Sequence, residues 1–534
     1  VRHSIYYPKI GELRLEYRGY DAKANICSVN HISDKQLESL YTPTPEKMGR
    51  GVGYLTLMNL INLGVTLLFY LALARILSES AVGEVALILL ILSVFNSATL
   101  LALPTAATKF IAENLGSKNL SQAGSAFSST IKLLTFISVP ALIGVSVFLP
   151  YIAKVTNLSP TVLLVTLAAS FLLDYTNVLG GAFFGLSMFK EASIQSLLFT
   201  VFSRLPAIVF ARVLGVEGVA LGFLMGAALS LLYSFLRIRG RFAEVPSKRL
   251  YKPLISYSAP LYGLALIALG QTWLSIAVLY GITHGLSTTG IYYLVAQSAS
   301  VLAVLYSPIT QVLFPALSYR KGGGGTEAVE SVLKNAEKIT IFVVGPLSLA
   351  IAAASPTALS VVFGANYSHD SLAFTILSVS TIPTALAGLY LIALQSIGET
   401  RPVLWVGATT TAVNTALLSV LVPSLVATGA ASSTLVTSLI NVTLSYHFVS
   451  KKLGHRFGVA GKTMAFSVLV GLAVYVTQLL TGSSGLVLKA ELDALLFFVS
   501  FVLLSKIVRP LGEEDRQILR RVLRGKSGFI EKLI

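Results

Sequence analysis

Two charged residues stand inside apolar runs of this sequence, Asp174 in "SFLLDYTNVLGGAFFG" and Arg204 in "SIQSLLFTVFSRLPAI". A carboxylate beside a guanidinium forms a charge-assisted pair, and a guanidinium left free is a ready phosphate ligand. Asp174 lies 12 residues before a helix end expected at 186, and Arg204 lies 11 residues after a helix start expected at 193. At about 1.5 Å per residue both sit ~17 Å from the turn "MFKEA" that separates the runs. The other side chains able to do recognition chemistry are amides in apolar runs: Asn59, Asn62, Asn96, Asn177, Gln271, Gln297, Gln311, Gln395 and Asn414. Six histidines are scattered at no metal-ligand spacing, and the single cysteine, Cys27, excludes an intrachain disulfide. No phosphate-binding loop and no G-x-G-x-x-G occurs, so neither a metal nor another cofactor is expected.

The elements that carry these residues follow from composition. The 534-residue chain is 54% hydrophobic and only 12% charged, about half the charge of an ordinary soluble protein. Each bilayer crossing needs about 20 apolar residues. Fourteen such runs are present, near 53–75, 82–105, 129–151, 161–186, 193–213, 216–236, 254–282, 288–317, 339–363, 371–396, 402–423, 426–448, 463–481 and 490–508. With the N-terminus inside and sides alternating, 35 of the 40 Lys and Arg fall in cytoplasmic segments, the bias expected of correctly counted spans. An all-α polytopic membrane protein with both termini cytoplasmic is therefore expected. The net charge of +16 is parcelled between apolar runs rather than clustered among aromatic residues, which speaks against nucleic acid as a partner. Two N-x-S sequons, at Asn157 and Asn366, lie on short outer loops; an N-glycosylated exported surface would suit them, and chance occurrence is the favoured reading, Pro160 weakening the first. Residues 1–50 are polar and basic without an apolar h-region. They read equally as a cytoplasmic extension or as an over-extended start.

The chain looks duplicated. "AVGEVALILLILSVFNSATLLALPTAATKF" resembles "TTGIYYLVAQSASVLAVLYSPITQVLFPALSY", and Gly83 to Gly290 spans 207 residues and six helices. Both copies enter the membrane from one side, so the repeat is parallel and gives two six-helix lobes. The expected organisation is an N-terminal extension (1–50), an N-lobe (51–240), a C-lobe (241–450), helices thirteen and fourteen (451–508) and a basic tail (509–534). "YRKGGGGTEAVESVLKNAEK" reads as a flexible tether followed by an amphipathic helix on the cytoplasmic face, and the tail reads as another.

"ARILSESAVGEVAL", "FFGLSMFKEASIQ", "GVEGVALGFLMG", "PLYGLALIALGQTWLSIAVL" and "GIYYLVAQ" resemble, together, landmarks of polysaccharide-biosynthesis flippases in the multidrug/oligosaccharidyl-lipid/polysaccharide exporter superfamily. The resemblance covers about residues 50–510. It implies fourteen helices, two lobes about a central cavity, and export of lipid-linked oligosaccharide. Ser78 departs from the glycine usual after "ARIL", and Thr272–Leu274 lack the acid often found after the helix-seven glutamine.

An intramembrane charge costs roughly 2.5–3.5 kcal/mol, so Asp174 and Arg204 should face the protein interior and pair. Two readings stand. The pair is a neutral strut, or Arg204 faces a wet cavity and draws in phosphate while Asp174 holds its fork. Given the implied cavity, Asn59, Asn62, Gln271 and Gln297 are candidate sugar contacts, with interhelical hydrogen bonding as the alternative for each. Lys109 and Lys132 are candidate guides at the inner mouth. The expected partner is a polyprenyl phosphate- or pyrophosphate-linked sugar in the plasma membrane, among membrane lipids, with glycosyltransferases as candidate neighbours. The protein is then a transporter and not an enzyme. The rivals are a multidrug/cation antiporter, which wants cavity acids, and a membrane glycosyltransferase or polymerase, which wants catalytic carboxylates on outer loops. Only Glu491 and Asp493 offer such a pair.

Overall fold

The computed structural model describes residues 42–534 apart from 78, 157, 243–249, 284–291, 293, 294, 297, 364–370, 457–460, 481–484, 511 and 513–534. The side chains of some further helical residues, Gln271 among them, are also outside the description. Both sequon asparagines and most of the basic tail fall outside it as well.

Helices follow the apolar runs. Span one is α1 (Pro45–Ile76), span two the bent pair α2 (Glu79–Leu100) and α3 (Leu103–Gly116), and span three α4 (Leu120–Val147) with the short α5 (Leu149–Thr156). Next come α6 (Pro160–Gly185), α7 (Phe189–Leu214) and α8 (Val216–Ile238), then α9 (Tyr251–Thr283), which opens the second lobe. A 3-10 turn, Val301–Leu305, precedes α10 (Ser307–Ala353), which breaks at Gly325 and so serves spans eight and nine, with α11 (Ser355–Phe363) beyond. Span ten is α12 (Ser371–Ile397), and α13 (Thr400–Leu453), broken at Val426, holds spans eleven and twelve. The last pair is α14 (Gly461–Leu480) and α15 (Leu486–Val508). Among the described residues, nine helical segments are by themselves long and apolar enough to cross a membrane, ten with the bent pair, and two of the nine hold two expected runs each.

Local chemistry sets the boundaries. Thr44 and Ser159 cap α1 and α6, each followed by proline at the first helical position, where no N–H is lost. Asn119 caps α4 by accepting from the Gln122 N–H at 3.1 Å. Gly454 ends α13 in the left-handed conformation. Large apolar side chains such as Phe136, Trp405 and Val213 point outward, the surface a hydrocarbon solvent requires.

Small residues decide which helices meet. Gly218, Gly222 and Gly226 recur every fourth residue along α8 and lie against Phe210, Ala207 and Ser203 of α7. A β-carbon at Gly222 or Gly226 would come within 2.6 Å of the facing β-carbon, so the α7–α8 hairpin packs backbone to backbone. α6 packs chiefly on α8, α3 and α2, and only slightly on α7, its neighbour in sequence.

The basic connections gather at one end of the bundle. There Lys452 lies 2.6 Å from Glu399, Arg237 lies 3.8 Å from Glu191, and Lys321 lies 3.5 Å from Glu113. At this basic end α3 crosses the first part of α10, the principal contact between the lobes. The glycine run expected to be a tether is instead helical up to Gly325 and packed: Gly322 sits on the Glu113 carbonyl and Gly323 on the Gly116 carbonyl. Glycine is needed because any β-carbon would strike backbone. The 207-residue offset that relates Gly83 to Gly290 also carries Gly116 onto Gly323, so equivalent points of the two copies meet each other. Beyond Gly325 the helix anchors the following elements. His455 is fully buried, with Nδ1 3.1 Å from Glu330 and Nε2 2.7 Å from Glu337.

Candidate functional site

Above the α3–α10 crossing lies a space between the lobes, divided into two compartments. The compartment nearer the basic end, about 620 Å³, is lined by α1, α3, α6 and α7 of the first lobe and by α10 and α12 of the second. Its polar wall is built of amides: Asn59, Asn177, Gln195, Gln311 and Gln395. Gln195 is fixed by donating Nε2–H to the Thr176 carbonyl at 2.5 Å. The second compartment, about 720 Å³, is walled by α2, α7, α8 and α9. Leu100, Pro104, Thr105, Leu173, Phe199 and Gln395 line both, so the two are continuous. The shared wall is the bend of span two. There α2 and α3 meet at 45° and Leu101 and Ala102 take positive φ of 44° and 55°.

Arg204 belongs to the second compartment, about 22 Å along α7 from its start. Its Nη1 is buried and has no hydrogen-bond partner. Facing it, α2 presents Ser93, Asn96 and Ser97 at the i, i+3, i+4 spacing of one helical face. Every other described residue lining the two compartments is uncharged.

The expected Asp174–Arg204 pair does not form. Asp174 is fully buried and accepts a 2.6 Å hydrogen bond from the Thr99 hydroxyl on α2, while its second carboxylate oxygen has no partner. Because α7 begins at Phe189 rather than 193, Arg204 stands about 22 Å from that end and Asp174 about 17 Å, and α6 turns its Asp174 face to α2 rather than to α7. Height along a helix follows from counting residues, whereas facing depends on which helices are neighbours. Asp174 is thus a core residue of the first lobe, and Arg204 alone reaches the cavity.

A family model described as polysaccharide biosynthesis protein matches residues 48–320. The chain belongs to that family. No curated protein matches it. Among solved structures it is similar to a MATE point mutant, at 15% identity over 78% of this chain and 98% of that one, with a TM-score of 0.69. A MOP superfamily transporter from Pyrococcus furiosus, described as having a binding pocket of reverse polarity, matches at 15% identity over 79% and 99% with a TM-score of 0.67. An outward-facing multidrug resistance MATE family transporter of the MOP superfamily matches at 16% identity over 79% and 98%, with a TM-score of 0.65. At these identities the likeness is one of fold alone, the all-helical membrane architecture expected from the sequence.

Spans one, two, seven and eight all line the cavity, and α6, α7, α8 and α12 contribute to it as well. Asn59 lines the amide compartment. Asn62 does not; its amide donates to the Ser196 hydroxyl at 3.0 Å and ties α1 to α7. The Gln271 side chain and Gln297 lie outside the described residues. Lys109 is buried and ion-paired to Glu113 within the lobe crossing, so it is part of the closure there and not a free guide. Lys132 is exposed and lines neither compartment. Asn177, Gln311 and Gln395 stood out in the sequence as amides in apolar runs; Gln311 shares span eight with the candidate Gln297, whereas the helix of Gln395 was not singled out. Gln195 sits in the polar start of α7 and was not distinguished at all. Glu491 and Asp493, expected on an outer loop, lie within α15, and Asp493 accepts from the Gln478 amide.

Proposed function

We propose that this protein is a flippase that carries a lipid-linked oligosaccharide or polysaccharide precursor from the cytoplasmic to the outer leaflet of the plasma membrane. The lobes rock about their contact so that the cavity faces one side and then the other. The observation that carries this reading is the cavity itself: an amide-lined chamber joined to one holding an arginine whose Nη1 has no hydrogen-bond partner, with no acid among the described lining residues. Amides offer both donors and acceptors and so suit sugar hydroxyls. The guanidinium suits phosphate. Apolar residues dominate the rest of the second compartment, Leu89, Leu92, Leu261 and Leu264 among them, and agree with a cargo whose tails stay in hydrocarbon. By the positive-inside bias, the basic end that holds the α3–α10 crossing is cytoplasmic.

Reconstitution tests this. Purified protein in vesicles containing a fluorescent polyprenyl-linked sugar should move it until an outside lectin binds it, and Arg204→Ala should slow that movement at least about tenfold. Drug efflux without lipid movement would instead support the cation antiporter. Elongation of the sugar chain would support an enzyme.

A further inference from the structure

The cavity fixes how much charge its cargo carries, an inference that rests on the flippase reading. Among the described residues, Arg204 is the one cation that lines either compartment, and the nearest lysines sit in the lobe crossing outside both linings. Lys109 is held by Glu113, and Lys321 reaches Glu113 at 3.5 Å and also donates to the Ile397 carbonyl. Lys132 is exposed and lines neither compartment. Among the described lining residues there is one guanidinium, with a buried Nη1 that has no hydrogen-bond partner, facing a face of hydroxyls and an amide. The Asn96 carbonyl oxygen in the same compartment is likewise buried without a partner. Together these meet a single anionic group with several oxygens and a neighbouring hydroxyl. A second negative charge would find only dipoles. An anion buried without a counter-charge costs several kcal/mol, because amides and hydroxyls replace its hydration incompletely.

We propose that the cargo joins lipid to sugar through one phosphodiester, a single negative charge set against Arg204, and that the sugar entering the amide compartment is uncharged. A pyrophosphate linkage puts a second charge in the arginine compartment. A uronate puts one among Asn59, Asn177 and Gln311, where no described residue answers it.

Three synthetic lipids compared in vesicles test the assignment: a polyprenyl phosphate bearing a neutral disaccharide, the pyrophosphate bearing the same disaccharide, and the phosphate bearing a uronate-containing disaccharide. The readout is the rate at which each becomes accessible to a membrane-impermeant sugar-oxidising reagent. The first should move at least about tenfold faster than the other two. Ser97→Arg adds a second cation to the compartment of Arg204 and should cut the preference over pyrophosphate by about tenfold. Ser93→Lys serves the same purpose should the first variant fold poorly. Equal or faster movement of the pyrophosphate lipid by the wild type, or an unchanged preference in both folded variants, overturns the single-charge assignment and leaves the flippase reading standing. If folded wild-type protein moves none of the three lipids, the flippase reading itself falls.

Discussion

Replacing Gly322 by alanine sets a methyl group where the α3 backbone passes. Its carbon would lie 2.8 Å from the Glu113 carbonyl carbon and 2.9 Å from the Ser117 nitrogen, where ordinary contact is 3.4–4 Å. Both obstacles are backbone, so no side chain can swing aside. The helices must separate by roughly 1 Å in a close-packed interior. Overpacking of this kind costs about 1–3 kcal/mol, which is roughly a 5- to 150-fold loss of the closed arrangement at the basic end relative to any open one. The same separation stretches the Lys321–Glu113 pair from its 3.5 Å. The assay is thiol accessibility. With Cys27 changed to serine, one cysteine is placed at Thr105, which lines both compartments, and a membrane-impermeant maleimide is offered at the basic side. Gly322→Ala should raise the labelling rate about fivefold or more. Gly53→Ala, where an added β-carbon meets nothing within 4 Å, should leave it unchanged. Unaltered labelling in well-expressed Gly322→Ala protein would refute the argument that this crossing is what shuts the cavity.

Asp174→Ala and Arg204→Ala, combined in a thermal double-mutant cycle, should show a coupling below about 0.5 kcal/mol; a clear excess over that would restore the strut. Burial pulls the His455 pKa down, but the carboxylates of Glu337 and Glu330 outweigh it and hold His455 above its ordinary value. A folded-state value raised in this way gives stability that is full below about pH 6.5 and fades as pH climbs through the raised value. Detergent melting temperatures should therefore decline toward alkaline pH, and His455→Gln should flatten that slope, whereas a persisting slope would place the titration elsewhere. Tyr390 and Tyr446 are the aromatic groups beside His455. Val426 holds a φ of 50° on a β-branched residue, so Val426→Gly should stabilise the protein by about 1 kcal/mol in denaturant unfolding. Asn414 takes a 2.7 Å hydrogen bond from Ser433 across the two parts of α13, and Asn414→Leu should cost about 0.6–1.7 kcal/mol in the same measurement.

Much of the architecture was readable because membrane helices are set by one-dimensional quantities. Apolar length gave the spans, Lys and Arg placement gave the gathered basic end, and internal similarity gave the two lobes. Azimuth was not readable, since it depends on neighbours that sequence order does not supply. Asp174 met Thr99 because α6 packs on α2, while α7 keeps to α8 through the glycines at 218, 222 and 226. The run at 322–325 was misread for a related reason. Glycine signals freedom when nothing lies nearby and close approach when a helix crosses there, and only the fold distinguishes these. Asn59 was found because its helix faces the cavity; Asn62, one turn on, serves the α1–α7 contact instead.

The kink at Leu101 and Ala102 has a consequence for how the lobes could move. Two L-residues held in the left-handed region cost roughly 1–2 kcal/mol each, and straightening span two would relieve them. The segment swung by that straightening, α3, is the one that grips the opposite lobe. If the lobes part as proposed, straightening this joint would release that strain and offset part of the cost of separating them.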